Sequence, residues 1–372
     1  MKIEAFGVEQ WMNEFEDHCE FNLGETCVAS LTVAELLELT GVGTSALDEI
    51  LELKLTYGAI TGSERLRTAI AAMYDNADPA QVLITHGAIG ANKLVHETLV
   101  NPTDRVISVQ PTYQQHYSIP ASYGADVQIL TLRQENDYLP DLDELRSLVT
   151  DNTSVIAINN PNNPTGSLMN ADMLAEIGTI AASVGAHVLS DEVYRGTNQD
   201  DPGMGPSIVD LCDNGISTGS MSKSFSLAGL RLGWMVAPPN VIEAAERQRD
   251  YSTISVGRIN DFLATIALES ADILLERSRS ITRTNLAILA DWVENEPNIS
   301  WVKPKAGTTA LLTYDAPLPS RDFAVHMLDA TGVMVVPGSA LNVEGTLRIG
   351  YANHEHVLRE GLPLFSQFLH SL

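Results

Sequence analysis

Residues 215–234 read GISTGSMSKSFSLAGLRLGW. Gly215–Gly219 is a short run of small and β-branched residues that suits a buried strand, and a second such run, Leu232–Val236, opens just beyond it. Between them stands Lys223, set among Ser220, Ser222 and Ser224, with Arg231 on the way to Trp234. Lysine is scarce in this chain, with six among 372 residues. A desolvated lysine at a strand end, near another cation, is expected to have a lowered pKa and can form a Schiff base. A single lysine is far more often a solvated side chain, so the reading depends on what surrounds it.

Working outward, short β-rich runs alternate with helical patterns. The expected strands are Val82–Thr85, Arg105–Val109, Val127–Leu130, Val155–Asn159, His187–Ser190, Gly215–Gly219 and Leu232–Val236. Between them lie stretches such as Asn170–Val184, where apolar residues recur at three and four spacing. This alternation predicts an α/β fold, a three-layer sandwich whose mostly parallel seven-stranded sheet is covered on both faces. A long amphipathic stretch, Pro239–Leu275, is expected to lead into a smaller α/β domain. We expect an N-terminal arm that forms part of the small domain over residues 1–40, a large domain over 41–275 and a small C-terminal domain over 276–372. In the arm, Trp11, Met12, Phe15 and Phe21 suit a cover packed on something else.

Ligands of such sheets sit beyond the carboxyl ends of the strands, so the residues there carry the functional argument. After Val82–Thr85 comes His86-Gly87-Ala88-Ile89-Gly90, whose small residues leave backbone N–H groups free for an anion at a helix start. After Arg105–Val109 comes Tyr113, which could lie flat on an aromatic ligand. After Val155–Asn159 comes Asn160-Pro-Asn-Asn-Pro-Thr-Gly166, a dense turn sequence that forces a defined loop. After His187–Ser190 come Asp191 and Tyr194. A carboxylate there is costly unless a cation or donor meets it, and a protonated pyridine nitrogen is such a partner. Each segment alone has an ordinary explanation as a turn, a cap or a core residue.

Together and in this order, from about Tyr57 to Arg348, these segments resemble the class I/II aminotransferase family of fold-type I pyridoxal-phosphate enzymes. The ordered set Asn163, Asp191, Tyr194, Ser220, Lys223 and Arg231 is its most specific part. The resemblance implies a pyridoxal 5′-phosphate cofactor held by Lys223 as an internal aldimine, with Lys223 later moving the proton at the substrate Cα. It implies that Asp191 pairs with the pyridine N–H, that Asn163 and Tyr194 hydrogen-bond the ring 3′-oxygen, and that Tyr113 stacks on the ring. The backbone of Ala88 and Ile89, with Ser220, Ser222 and Arg231, would hold the phosphate. Tyr57 matches a tyrosine that reaches the phosphate of a neighbouring subunit, which implies a homodimer with shared active sites. His116 matches a residue that supports the aspartate in some members. Arg348, in Gly345-Thr-Leu-Arg-Ile-Gly350, matches the arginine that binds the substrate α-carboxylate, with Gly24 and Asn163 beside the substrate. The implied activity is transfer of an amino group from an L-amino acid to a 2-oxo acid.

The sequence also departs from that pattern. Ile89 lacks a hydroxyl common at the phosphate, Leu23-Gly24-Glu25-Thr26 lacks the usual proline, and Tyr251–Val256 lacks a common Asn-Pro. The last two border the expected substrate pocket. No second, side-chain-reading arginine is recognisable, so a dicarboxylate substrate is not expected. Trp11 through Glu25 loosely resembles the N-terminal region of capreomycidine synthase-type enzymes, which leaves a lyase, oxidase or cyclase acting on an arginine-like amino acid as an alternative. A regulator built on this fold is disfavoured, since no basic helix-turn-helix segment is visible.

Composition sets the outer bounds. The net charge of −26 should repel nucleic acid and anionic lipid, so neither is expected as a partner. It suits solubility or a salty cytosol, and more speculatively a cationic substrate. No apolar run approaches the ~20 residues of a membrane helix, and the acidic N-terminus has no apolar signal core. Cys19, Cys27 and Cys212 form no CxxC pair, which fits a reducing cytoplasm and no structural zinc. The histidines show no metal-ligand spacing, so no metal is expected.

Overall fold

The computed structural model describes residues 2–372. All seven expected strands form one sheet, ordered Val82–Thr85, Gly233–Val236, Gly215–Ser220, His187–Asp191, Thr153–Asn159, Arg105–Gln110 and Asp126–Thr131. Only Gly233–Val236 runs against its neighbours. The other pairings are parallel. Parallel strands buried on both faces need apolar residues at every position. Here alternate side chains divide the core: Val106, Val155, Leu189 and Ile216 face one cluster, while Ile107, Ile156 and Val188 face another. The strands end slightly later than the pattern suggested, so that Asp191 and Ser220 are the last residues of their strands.

The stretch Pro239–Leu275 is divided among three helices. It holds the helices Pro239–Arg249 and Arg258–Glu269 and the start of Ala271–Asn295. The helix Pro239–Arg249 stops before a loop in which Ile254 adopts a left-handed conformation, φ +59°, a state that a β-branched residue disfavours and that cannot continue a helix.

A second core gathers the antiparallel strands Ile299–Trp301, Thr309–Tyr314, Val336–Pro337 and Thr346–Gly350 under the helices Ser320–Thr331 and Glu355–Leu369. The N-terminal helix Gly7–Phe15 joins it through Val8 and Trp11, and Phe21–Asn22 pairs with Val333–Met334. The single helix Ala271–Asn295 contributes Leu274 and Leu275 to the large sheet's core and Leu286, Leu289 and Val293 to this one.

His96, on the helix Gly87–Leu99, is 0 % exposed, and neither ring nitrogen has a partner among the described residues. Burial, and then the neighbouring His116 ring, pushes its pKa down to about 3. An unfolded chain binds that proton near pH ~6.5. Between about pH 6.5 and pH 3 the unfolded state therefore holds more protons, and stability falls as pH falls, by up to about 1.4 kcal/mol per pH unit. Replacing His96 by Leu should flatten this acid limb in urea unfolding at pH 7, 6 and 5. It should leave stability at pH 7 equal or higher, because two unsatisfied nitrogens leave the core. A variant as acid-sensitive as the parent would refute this account.

Candidate active site

At the carboxyl ends of the central strands lies a cavity of about 360 Å³. Its wall includes Gly24, Ala88, Ile89, Tyr113, Asn163, Asp191, Tyr194, Ser220, Ser222, Lys223, Arg231 and Arg348. The fold thus brings together every candidate residue but Tyr57.

Asp191 ends its strand in a buried position. Its Oδ2 accepts from Asn92 Nδ2 at 2.8 Å and lies 3.4 Å from His116 Nε2, while its Oδ1 accepts from the Val193 N–H at 3.2 Å. His116 Nε2 thus stands near the carboxylate, but neither of its ring nitrogens makes a hydrogen bond among the described residues. Asn92 escaped the sequence reading. The signal was available, because Asn92 falls one helical turn after Ala88 and so shares its face. Its own Oδ1 accepts from Thr218 Oγ1 at 2.6 Å, which locks the amide in place.

Lys223 Nζ donates to Thr26 Oγ1 at 2.6 Å and approaches Cys27 Sγ at 3.4 Å. Burial would lower its pKa, but interactions with Cys27, Tyr194 and Glu25 outweigh that and raise it on balance, and of the three only the Glu25 carboxylate, itself held below its ordinary range, is charged at pH 7. The expectation of a lowered pKa is therefore corrected: the neighbours that matter are acidic, supplied by the N-terminal segment, and not the cation Arg231. Burial in turn pushes the Cys27 thiol up to about 11, so it stands beside Lys223 as a neutral thiol at pH 7. Thr26 and Cys27 follow directly on the segment that departs from the familiar pattern by lacking a proline.

The helix Gly87–Leu99 opens at the cavity with φ +71° at Gly87. A Cβ there would stand 3.0 Å from the Arg231 guanidinium. Across from it, a Cβ on Gly233 would collide with Gly87 C and Ala88 N at 2.3 and 2.5 Å. Two glycines thus let the helix start, the strand and Arg231 approach one another. Ser222 Oγ lies 3.5 Å from Arg231 Nη1, and Ser220 Oγ accepts from the Ser222 N–H at 3.2 Å. Backbone N–H groups of a first helical turn, two hydroxyls and a guanidinium form a cradle for a phosphate-like anion.

Arg348 is 2 % exposed. Its Nη2 donates to Gly24 O at 2.8 Å and its Nη1 to Asn163 Oδ1 at 3.4 Å, while its Nε has no partner among the described residues. A guanidinium on the cavity wall with one buried N–H left unsatisfied suits an anionic ligand group. Tyr113 donates its hydroxyl to Glu9 Oε1 at 2.8 Å, so the N-terminal helix reaches over the cavity. Tyr57 lies outside the cavity of its own chain and is 74 % exposed. Tyr251–Val256 also stays off this wall.

A model of the family described as aminotransferase class I and II matches residues 48–361. The chain is 31 % identical to capreomycidine synthase of Streptomyces vinaceus over 370 residues, covering 99 % of this chain and 94 % of that one. Among solved structures, it superposes on a PLP-dependent aminotransferase from Streptococcus suis with a TM-score of 0.97 and 40 % identity, covering 100 % and 99 % of the two chains. It superposes on the PLP-dependent cyclase OrfR with a TM-score of 0.91 and 27 % identity, covering 100 % and 98 %.

Substituting Asn92 by Leu should leave both Asp191 Oδ2 and Thr218 Oγ1 short of a buried partner. Such losses cost roughly 1–3 kcal/mol each, so chemical denaturation of Asn92→Leu should show a loss of about 2 kcal/mol or more. An unchanged midpoint would mean that the amide is not what holds the aspartate.

Proposed function

The chain belongs to the aminotransferase class I and II family, and on that footing we propose that it moves the amino group of an L-amino acid to a 2-oxo acid, with Lys223 as the residue that carries the cofactor. The cofactor is pyridoxal 5′-phosphate, which when bound draws off the electrons left at the substrate Cα as that carbon loses its proton. The residues present fit it. The glycine-lined helix start with Arg231, Ser220 and Ser222 suits its phosphate, and the anchored carboxylate of Asp191 suits its ring nitrogen. The observation that carries the reading is that Lys223, Asp191 and Arg348, far apart in sequence, line one cavity.

In this reading Arg348 grips the substrate α-carboxylate, using the N–H that the protein leaves free. A fixed guanidinium–carboxylate pair orients the Cα, which removes much of the entropic cost of reaction. Lys223 holds the cofactor covalently and later takes the proton from the Cα as general base. Thr26, 2.6 Å from Nζ, positions that amine. With the cofactor bound, Asp191 would keep the ring N–H charged, itself anchored by Asn92 with His116 nearby. Tyr194 and Asn163 would serve the ring oxygen, and Tyr113 would cover the ring face. Thr26, Cys27 and, from the N-terminal helix, Val8, Glu9 and Met12 line the cavity that holds Lys223.

The cofactor-loaded protein, given a panel of amino acids and no oxo acid, should lose its visible absorbance band with stoichiometric oxo-acid formation, and a 2-oxo acid should restore the band. Lys223→Ala should lower the rate at least about a thousandfold. A band that persists while ammonia or peroxide accumulates would overturn transamination in favour of elimination or oxidation.

We also propose a homodimer in which Tyr57 serves the partner's phosphate cradle. Support comes from exposed large apolar side chains in two segments, Leu51, Leu55, Tyr57 and Ile60 in one and Tyr251 and Ile254 in the other. The segment holding Tyr57 is tied to the neighbouring helix start by the Arg258 hydrogen bond to Lys54 O, and such exposure on a free monomer would be unusual. Sedimentation should give a dimer, and Tyr57→Phe should raise the cofactor dissociation constant about tenfold or more, the worth of a hydrogen bond to a charged group. A monomer, or unchanged cofactor affinity, would count against it.

A further inference from the structure

Four consecutive main-chain N–H groups of the N-terminal segment are tied to two side chains of the same turn. Asn22 Oδ1 accepts from the Gly24 and Glu25 N–H groups at 2.9 and 3.0 Å, and Glu25 Oε1 accepts from the Thr26 and Cys27 N–H groups at 2.6 and 2.7 Å. Thr26 O accepts from Thr308 Oγ1 at 2.7 Å, which fastens the turn to the start of the strand Thr309–Tyr314. Thr26 itself is buried. A main chain held at this many points fixes where its side chains begin.

The turn holds out two acceptors for one amine. Lys223 Nζ donates to Thr26 Oγ1 at 2.6 Å and to Cys27 Sγ at 3.4 Å, and it makes no other hydrogen bond among the described residues. An ammonium carries three donors and no acceptor, and away from water each donor needs a partner. The hydroxyl is the stronger of the two acceptors, since sulfur accepts weakly. Burial opposes the charge on Glu25, but Lys223 and the two N–H groups outweigh it and hold that carboxyl below its ordinary range, so the turn also brings a negative charge to the amine. Position 26 is where the sequence lacks the usual proline. A proline has no N–H to donate to Glu25 and no hydroxyl to offer Nζ, so both contacts depend on the threonine found in this chain.

We propose that Thr26 and Cys27 form a dock for the Lys223 amine, filled whenever that lysine is detached from the cofactor, and that the dock sets how the protein divides between the attached aldehyde form of the cofactor and its amine form. The inference deepens the reading of Lys223 as the attachment residue and rests on it. Attachment replaces the aldehyde C=O by C=N. The ammonium sheds one proton to solvent, its other two hydrogens leave with the aldehyde oxygen as water, and Nζ thereby gives up the donors that Thr26 and Cys27 accept. The amine form of the cofactor offers no carbonyl, so Lys223 keeps its dock when that form binds.

Two dissociation constants measure this division. The full chain, freed of cofactor, is titrated with pyridoxal phosphate and separately with pyridoxamine phosphate. Thr26→Val keeps the shape of the side chain and removes the acceptor. It should shift the ratio of the constants about tenfold in favour of pyridoxal phosphate, the worth of a hydrogen bond to a charged group, and leave the affinity for pyridoxamine phosphate unchanged. Thr26→Ser should keep the parent's ratio. Cys27→Ala should move the ratio the same way by less, and it decides the matter if Thr26→Val binds neither ligand. By linkage, the half-reaction between an amino acid and its oxo acid must shift by the same factor toward the aldehyde form. A ratio indifferent to both Thr26→Val and Cys27→Ala, or an equal weakening of both ligands, would overturn the dock and leave attachment and transamination intact. A parent that binds pyridoxal phosphate without gaining its visible band would remove attachment and dock together. A ratio that moves while no amino acid bleaches the cofactor would keep the dock and remove transamination.

Discussion

A carboxylate at the buried end of a central strand cannot stand alone, and the architecture around Asp191 answers that constraint. Leaving an ion in a dry interior without partners costs several kcal/mol. The side chain accepts from Asn92 and from the Val193 N–H, with His116 Nε2 3.4 Å away. Its main-chain carbonyl accepts from Asn160 N at 2.9 Å and from Asn159 Nδ2 at 2.8 Å. These contacts come from two helices, one strand and two loops. Satisfying one charge therefore fixes the relative positions of the elements that carry the helix-start cradle, the Asn-Pro loop and the lysine strand.

The second organising feature is the N-terminal segment, which is threaded between the two cores. Leu23 O accepts from the Gly350 N–H at 2.7 Å, Thr26 O from Thr308 Oγ1 at 2.7 Å, and the Ala29 N–H donates to Ala352 O at 2.9 Å. Gly350 has no room for a side chain, since a Cβ there would fall 1.6 Å from Glu25 O. That close approach carries Arg348, two residues earlier on the same strand, to Gly24 O and the cavity. It also lays Thr26 and Cys27 on Lys223. The arm is thus part of the site's wall, and its acidic residues set the protonation of the lysine as well as the character of the pocket mouth.

The overall charge takes on a more local meaning in this setting. A net charge of −26 describes the surface, and by itself says nothing of the cavity. What gives it chemical content is the segregation within the wall. Arg231 stands where a phosphate is expected and Arg348 where a carboxylate is, while Glu9 stands on the N-terminal helix, Glu16 in the turn after it and Glu25 further along the arm. A low-dielectric cleft lined this way concentrates field more than scattered surface acids do.

The sequence by itself determined the sheet, because parallel strands buried on both faces must be short apolar runs, and seven such runs stand in the chain with small, polar or turn-forming residues at their ends. It also marked most of the cavity wall, since a strand's carboxyl end is where that architecture exposes side chains to a ligand, as at Asp191, Lys223 and Asn163. It could not show what meets those residues from elsewhere. Asn92 looks like any polar residue within a helix until Asp191 is placed beside it. Thr26, Cys27, Glu9 and Glu16 belong to a segment with no strand-end signature, and their distance from Lys223 in sequence hides their contact with it. The lysine's protonation follows the same rule: sequence neighbours pointed to a lowered pKa, and spatial neighbours raised it. Hydrophobic periodicity is a local property written along the chain, whereas electrostatic environment depends on distance through space, and only the packed tertiary structure sets that.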